Sequence, residues 1–473
     1  MFLLTKTDFM LFQHCAKSFW LAKHRPDDVP TPQFSAFAAK LAREGYEVEA
    51  HLKTWIATWP DAASYAFQAE FEARTGLFAR ADMVRNNDDG SLDIYEVKSS
   101  TSIKRSGTQN HIHDACFQLI AAQAMGLVVK RIHIIHLNSD FRRAGDVDAA
   151  DLLEIHDVTD EVRSAEPAVS GMIQNAMDVL SQPQIDETSC TCLLKSKGNH
   201  CDAFAHFNGW LPAPSIYDLP NLSQKRREQF VSEGRFAPID ITPDDVAAGQ
   251  KPVLMSAHAQ GPVIDRQACA DWFSQADYPL YFLDYETYAS AIPLVDDLAP
   301  HGHLPVQYSL HVKSLNGDLE HHEYLADAAA LPEQLITSLK RHIGPAGSII
   351  TWNKSFENAR NADMAAWYPE HAEFLADLPH RTIDLQDVFK SGYVDIAFGG
   401  STSIKKVLPV LAPDLSYNDM MIGEGTAAMD GWITLLSLAP GIDHDTLRAG
   451  LLEYCKLDTY AMVRLFEEVE RFA

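Results

Sequence analysis

Three things are scarce or missing in this chain of 473 residues. There is no run of about 18 apolar residues, the length a helix needs to cross a bilayer. The first residues carry Lys6 and Asp8 where a secretory leader would need an apolar core. Together these absences predict a soluble, cytoplasmic protein with no membrane partner. Positive charge is short as well: 39 Lys and Arg stand against 65 Asp and Glu, a formal net charge of −26. So acidic a surface excludes a protein that grips a polyanion over its whole face. Nucleic acid would have to be held at local basic strips. Cysteine is sparse, seven in all. In a cytoplasmic setting these seven do not build a disulfide framework.

What is present fits a globular protein, with 46% hydrophobic and 22% charged residues. The length suggests two or three domains. Short basic strips occur at Lys98, Lys104 and Arg105, at Lys195 and Lys197, at Lys225, Arg226 and Arg227, and at Lys405 and Lys406. Any one of them read singly is a solvated face.

The apolar stripe of Phe9, Phe12, Cys15, Phe19 and Trp20 predicts a helix over 5–24, ended by Pro26, Pro30 and Pro32. A longer amphipathic helix is predicted over 34–59, carrying Glu44, Gly45, Glu49 and His51. Strands follow over 64–73 and 77–84. The polar run Asn86-Asn87-Asp88-Asp89-Gly90 favours a hairpin into Leu92–Lys98. Period-two geometry then puts Glu96 and Lys98 on one face, with Asp82 near the end of the preceding strand. Two carboxylates and a lysine beside water suit metal-assisted hydrolysis. The plainer reading is solvated charge, since exposed Glu-x-Lys pairs are common on strands. A polar loop over 99–108, a helix over 110–126 with His113, Cys116 and Gln118, and a β-branched strand from Val128 to Leu137 complete an α/β core.

An acid on a helix, then Asp82, then Glu96-Val97-Lys98, then Gln118 on the following helix resembles the RecB-type branch of the PD-(D/E)xK nucleases. The resemblance implies that Asp82 and Glu96 bind Mg²⁺ or Mn²⁺, that Lys98 assists catalysis and that Gln118 belongs to the site. The family's first-helix histidine has no clean match; Glu49 stands in its place and His51 two residues later, and either could complete the metal shell. Cys15 before this core and Cys190, Cys192 and Cys201 after it resemble the iron–sulfur staple of CRISPR-associated and AddB-like RecB nucleases, which implies a [4Fe–4S] cluster. Zinc is the alternative, because thiolates suit it and His200 is adjacent; unrelated buried thiols are a third reading. Cys116, Cys269 and Cys455 read as small core residues.

Seven prolines punctuate 211–275, which reads as a helical linker. Within it, Ile216–Gly234 resembles a helix–hairpin–helix that lacks its Gly-x-Gly; a plain helix with Lys225, Arg226 and Arg227 on a basic face is the other reading. From Tyr278 a second α/β pattern begins. Leu280 to Asp284 and Glu286 form an apolar strand ending in two acids on one face. Antiparallel strands over 305–313 and 319–325, a helix over 331–343 and a strand over 348–352 follow, leading into Asn353-x-x-Phe356-Glu357. Ile383-Asp384 is expected to open a helix, with Asp384 a further acid or its N-cap. The last helix, 445–472, carries Tyr454-x3-Asp458.

These motifs in this order resemble the DnaQ-like, RNase H-fold exonucleases of the DEDD group in its tyrosine form, with Glu357 where Asp is usual. The resemblance implies two Mg²⁺ or Mn²⁺ ions held by Asp284, Glu286, Glu357 and Asp458, with Tyr454 orienting the attacking water. The expected organisation is therefore a PD-(D/E)xK restriction-endonuclease-like domain over 1–210, a linker over 211–275 and an RNase H-like domain over 276–473. The expected activity is hydrolysis of DNA, at single-stranded ends, in repair or defence. The rivals are an RNA exonuclease using the second site alone and a non-catalytic, metal-stapled nucleic-acid-binding subunit.

Overall fold

Alternation in the first half builds a six-stranded mixed sheet. The computed structural model describes residues 3–29, 36–107, 109–418 and 420–473. Pro30 and Pro32, the start of the helix expected at 34 and the loop end at 108 lie outside the described residues. The chain divides into two units: Met1–Trp210 with Ser290–Gly302, and Leu211–Ala289 with His303–Ala473. Among the described residues, no helix is long and apolar enough to cross a membrane.

The first unit begins with the short strand β1 (Leu4–Thr5), which leads directly into α1 (Lys6–His14). Thr5 ends one and starts the other. Its hydroxyl accepts the Asp8 N–H and the Asp8 carboxylate accepts the Thr5 N–H, a reciprocal cap. The helix expected over 5–24 is two helices, broken at Cys15, whose backbone is extended (φ −159°, ψ 110°). The Cys15 thiol caps α2 (Ala16–His24) by accepting the Ser18 N–H at 3.5 Å. After α3 (Ala36–Ile56) come β2 (Tyr65–Glu72), β3 (Leu77–Asn86) and β4 (Leu92–Val97), the last two joined by the expected hairpin. One edge of β3 pairs with β2. The other edge is shared, by β1 at Leu77–Phe78 and by β4 at Met83–Asn86. Past Tyr95, β4 leaves β3, and the Asp82 carboxylate accepts the Val97 N–H at 2.8 Å instead.

α4 (His111–Ala124) returns the chain to β5 (Val129–Leu137), parallel to β4. The short α5 (Ala149–Leu152) then leads into β6 (Leu153–Asp157), the antiparallel edge strand, and α6 (Thr159–Ser181) follows. Phe9 and Phe117 stack at 5.2 Å beneath one sheet face, with Ile94, Ile132, Ile134 and Val162 around them. Each such side chain contributes roughly 1.5–3 kcal/mol on burial. The other face packs on Val48, Leu52 and Ile56 of α3, and here Ala291 and Ile292 join the core. The segment Ser290–Gly302 is tied in by its backbone. Arg143 donates to the Pro293 and Leu294 carbonyls at 2.9 and 2.8 Å, and the Ala291 N–H reaches Glu44.

The second unit opens with residues expected to form a linker. They carry α8 (Gln224–Ser232; α7 is Phe204–Asn208 in the first unit), α9 (Lys251–Ala259), β7 (Val263–Ile264) and α10 (Arg266–Phe273). A single 3-10 turn, Ile216–Asp218, precedes α8, so no helical hairpin forms there. The Trp272 indole donates to the Asp384 carbonyl at 2.9 Å, which docks this stretch on the sheet of its own unit.

That sheet is mixed. At its centre is β8 (Leu280–Tyr288), with β9 (Leu304–Lys313) antiparallel to it on one side and β10 (Leu319–Leu325) antiparallel to β9 beyond. On the other side lie β11 (Ser348–Thr351) and β12 (Thr382–Asp384), both parallel to it. α11 (Glu333–His342), α12 (Lys354–Trp367) and α13 (Ala372–Arg381) cover one face around Tyr308, Leu335 and Ile349. Ile383-Asp384 is thus a strand rather than a helix start, and β13 (Tyr393–Val394) pairs with β7. The chain closes with α14 (Ile404–Leu411), α15 (Gly425–Ser437) and α16 (Ile442–Glu470).

Candidate metal centres

In the first unit, Glu96 is 1% exposed and gathers three donors. Lys98 and Lys6 approach its Oε1 at 2.7 and 2.8 Å, and the Gln118 amide donates to Oε2 at 2.5 Å. Both lysines also pair with Asp114 on α4. Burial pushes the Glu96 carboxyl up, but the two ammonium groups outweigh it and hold the group well below the usual range. Among the described residues, no Lys or Arg pairs with Asp82 within 4.0 Å. Burial, then the charge of Glu96, raises it to about 7. Asp82 lines a cavity of about 490 Å³ with Thr5, Lys6, Glu49 and Gln68.

Glu49 accepts from Gln68 and Lys53, each at 2.8 Å. His51 does not join it. Two residues on, about 200° round the helix, it lines a separate cleft with Trp55 and Asp148. Gln118 is fully buried on Glu96, where it positions the carboxylate rather than facing the cavity.

The basic residues divide. Lys104 bonds Gln109, and Arg105 is neutralised by Glu161 at 2.7 Å on the surface. Lys225 is exposed and Arg226 bonds Gln229. Arg227 departs from expectation: it is 7% exposed and donates to the Leu222 carbonyl, so it packs α8 instead of presenting charge.

In the second unit, four carboxyl groups converge from three elements. Asp284 and Glu286 come from β8, Glu357 from the first turn of α12 and Asp458 from α16. Asp284 lies well above its usual range through burial, then through Asp458, Glu286 and Glu357; Glu286 does so through burial and then Asp458. Burial raises Glu357 to about 8. It raises Asp458 to about 6, against the Tyr417 hydroxyl, which donates to it at 2.6 Å, and the Lys405 ammonium. Among the described residues, none of the four pairs with Lys or Arg within 4.0 Å, and Glu357 Oε2 is buried without a hydrogen-bond partner. An acidic set with an orphaned buried oxygen fits divalent cations bound through oxygen.

Tyr454 is buried beside Asp458. Lys405 donates to its hydroxyl at 3.3 Å and to the Gly423 carbonyl at 2.7 Å, with its ammonium 5.2 Å from each ring centre of Tyr417 and Tyr454. Lys405 is therefore part of this site and not a solvated strip. Cys455 is no ordinary core thiol either, since its S–H donates to Asp284 at 3.7 Å. Asp384 is fully engaged by the N–H groups of Asn353, Lys354 and Gln386 at 3.0–3.1 Å, so it anchors the start of α12 and leaves the metal-binding set.

The raised carboxyls set a pH dependence. A group whose folded pKa is raised keeps its proton where the unfolded chain has lost it, so metal-free stability falls as pH rises through that window. For Glu357 the window runs from the ordinary glutamate value of 4.5 to about 8. Glu357→Gln is expected to be near neutral at pH 4 and to stabilise the metal-free protein above pH 8, by on the order of a few kcal/mol. Urea midpoints in chelator at the two pH values check this; a difference independent of pH would count against the raised carboxyl.

The third cluster joins Cys15, at the break between α1 and α2, to Cys190, Cys192 and Cys201. All four are buried and free, with sulfurs within 4.8 Å of one another. Trp20, Leu21, Ala203 and Phe207 pack around them, and the Asn208 amide donates to the Cys190 sulfur at 3.4 Å. The four could hold a metal ion.

Sequence reasoning missed Lys6, Asp114, Lys405, Tyr417 and Cys455. Only Asp114 carried a signal, lying four residues before Gln118 on one helix face.

The family model described as "Domain of unknown function (DUF2779)" matches residues 281–403, a stretch that includes Asp284, Glu286 and Glu357 and ends before Tyr454. The "Uncharacterized protein MG366 homolog" of Mycoplasma pneumoniae is 26% identical, over 41% of this chain and 32% of its own length. The "Uncharacterized protein UU173" of Ureaplasma parvum is 27% identical, over 34% and 26%. This chain thus matches about a third or less of the length of these curated relatives. A solved structure, "Crystal structure of SSO0001", covers 42% of this chain and 87% of its own at 13% identity. Its TM-score of 0.26 carries no argument. The comparisons thus give a family model of unknown function over part of the chain and partial similarity to proteins named as uncharacterised from Mycoplasma and Ureaplasma.

Proposed function

We propose that the protein is a divalent-metal-dependent nuclease with two hydrolytic sites, acting on DNA at single-stranded ends. The observation that carries this is the convergence of Asp284, Glu286, Glu357 and Asp458 on one spot with an orphaned carboxylate oxygen. The strand order of the second unit supports an RNase H-like reading. The first strand of its sheet is central, the second is antiparallel beside it and the third antiparallel to the second, and the fourth and fifth are parallel to the first on the other side. The splayed β3–β4 pair carrying Asp82, Glu96 and Lys98 supports a PD-(D/E)xK reading of the first.

Bound Mg²⁺ or Mn²⁺ would supply an acidified water and charge for the leaving oxygen. The chain does the rest. The Cys455 thiol fixes the Asp284 carboxylate, and the Tyr454 hydroxyl, held by Lys405, orients water for attack on phosphorus. In the first unit, Lys98 and Lys6 keep Glu96 ionised, and Asp82 and Glu49 face the cavity. Labelled single-stranded DNA and RNA of one sequence, incubated with Mg²⁺ or Mn²⁺ and with chelator, test the proposal. Metal-dependent cleavage of DNA is expected. Cleavage of RNA alone would replace the substrate, and cleavage of neither would remove the activity.

The thiol cluster is proposed to hold a structural metal group. Resemblance to RecB-type nucleases favours a [4Fe–4S] cluster. The sulfur spacing favours a single tetrahedral ion, because an ion bonded at ~2.3 Å sets its ligands ~3.8 Å apart and all four sulfurs lie within 4.8 Å. Anaerobic purification with iron and zinc analysis separates the two. A brown, iron-containing protein favours the cluster, a colourless one with zinc the single ion, and a metal-free one overturns both.

A further inference from the structure

On the edge of the first unit's sheet, β5 and β6 bring together two histidines and a glutamate that neither acidic site uses. His136 lies opposite Glu154 across the antiparallel pair. His156 is two residues beyond Glu154, so both project from the same face of β6. The Nε2 atoms of His136 and His156 lie 3.8 and 3.0 Å from Glu154 Oε2, and one ligand atom from each residue lies within 4.8 Å of the others. The two rings are nearly parallel, 4.7 Å apart.

The tautomer of His136 matters. Its Nδ1 is 2.9 Å from the Leu137 carbonyl, which can only accept, so Nδ1 carries a hydrogen. In the neutral ring Nε2 then carries a lone pair, 3.8 Å from a carboxylate oxygen that, when ionised, likewise only accepts. A backbone carbonyl on one nitrogen and a free lone pair on the other is the usual setting of a metal-binding histidine. Glu154 has no better use for its charge, since among the described residues its ion-pair partners are these two histidines. The spacing suits an ion as well. Bonds of ~2.0–2.2 Å to nitrogen and oxygen set neighbouring ligands ~3–3.6 Å apart, and the two measured separations bracket that range. The His136 side chain is 7% exposed and those of Glu154 and His156 are 42% and 47%, an anchored ligand with two reachable ones.

We propose that His136, Glu154 and His156 form a transition-metal site of the zinc class. Three protein ligands leave a position open for water or an anionic oxygen donor. The site is independent of the thiol cluster and of the nuclease reading.

Co²⁺ titration of the full chain, in excess Mg²⁺ to occupy the acidic sites, tests it. Wild type is expected to bind one Co²⁺ with the weak visible absorption of nitrogen and oxygen donors, without the intense sulfur-to-metal bands of a thiolate site. Loss of a histidine's supporting partner alone weakens metal binding about 10–100-fold, so His156→Ala and Glu154→Gln, which remove ligands outright, should each cost at least ~10-fold. Both positions are exposed, and the melting curve and thiol-cluster metal content should stay at wild-type values. Absence of such binding in wild type, or unchanged binding in both variants, overturns the site.

Discussion

Asp458→Asn is expected to lower the metal-dependent nuclease activity of the second unit about 10³-fold or more, leaving that of the first in place. The substitution keeps shape and removes charge. Asparagine still accepts the Tyr417 hydroxyl that reaches this position at 2.6 Å, so the local hydrogen bonding survives. Losing a carboxylate also relieves the repulsion that raises Asp284 and Glu286, so the metal-free fold is not weakened. What is lost is a ligand to the catalytic ions. Lys98→Ala is the companion. Removing a lysine from a buried carboxylate normally risks the fold, but Lys6 remains within 2.8 Å of Glu96 to balance it. Activity on single-stranded DNA, with folding followed by circular dichroism, should show one component lost with each variant. Full activity in both would break the site assignments. Total loss with Asp458→Asn alone would leave the chain with a single working site.

Cys15→Ser is expected to release the metal of the thiol cluster and to cost on the order of 5 kcal/mol of stability. The size follows from the chain length enclosed. Cys15 is tied to Cys190, Cys192 and Cys201, and closing a loop that long removes much of the unfolded chain's freedom. Serine makes the test clean. It caps helices at least as well as cysteine, so the break between α1 and α2 and the bond to the Ser18 N–H persist. The loss therefore reports the metal and not the turn. Metal analysis and urea midpoints on the same preparation measure it; retention of metal and midpoint together would exclude Cys15 as a ligand.

These sites were unequally legible in the sequence. Asp82, Glu96 and Lys98 could be read because a hairpin and a two-residue period are local rules, and the pairing of β3 with β4 obeys both. The four cysteines could be grouped, but the helix break that turns Cys15 toward the others could not, because nothing in its neighbours disfavours helix. Lys6 was out of reach for another reason. It reaches Glu96 only because β1 pairs in parallel with β3, a contact made across more than 70 residues of chain. Lys405 and Tyr417 sit on and after α14; the first was marked only as half of a basic pair that reads as solvated, the second by nothing, and both enter the site through the fold alone. His51 shows the opposite failure. Its proximity to Glu49 in sequence suggested a shared site, and helix geometry turned it to another face.

The segment Ser290–Gly302 changes how the molecule must be made. The core beside α3 includes Ala291 and Ile292, which are synthesised after the whole of Leu211–Ala289. On the ribosome, Met1–Trp210 therefore emerges unfinished and waits for roughly 90 further residues, about 5–20 s at ordinary elongation rates, before its last piece arrives. Val48, Leu52 and their neighbours lack part of their cover in the interval. A fragment stopped at Trp210 would be held in that state permanently. The two halves are joined by a thread that crosses three times, and no single cut separates one from the other.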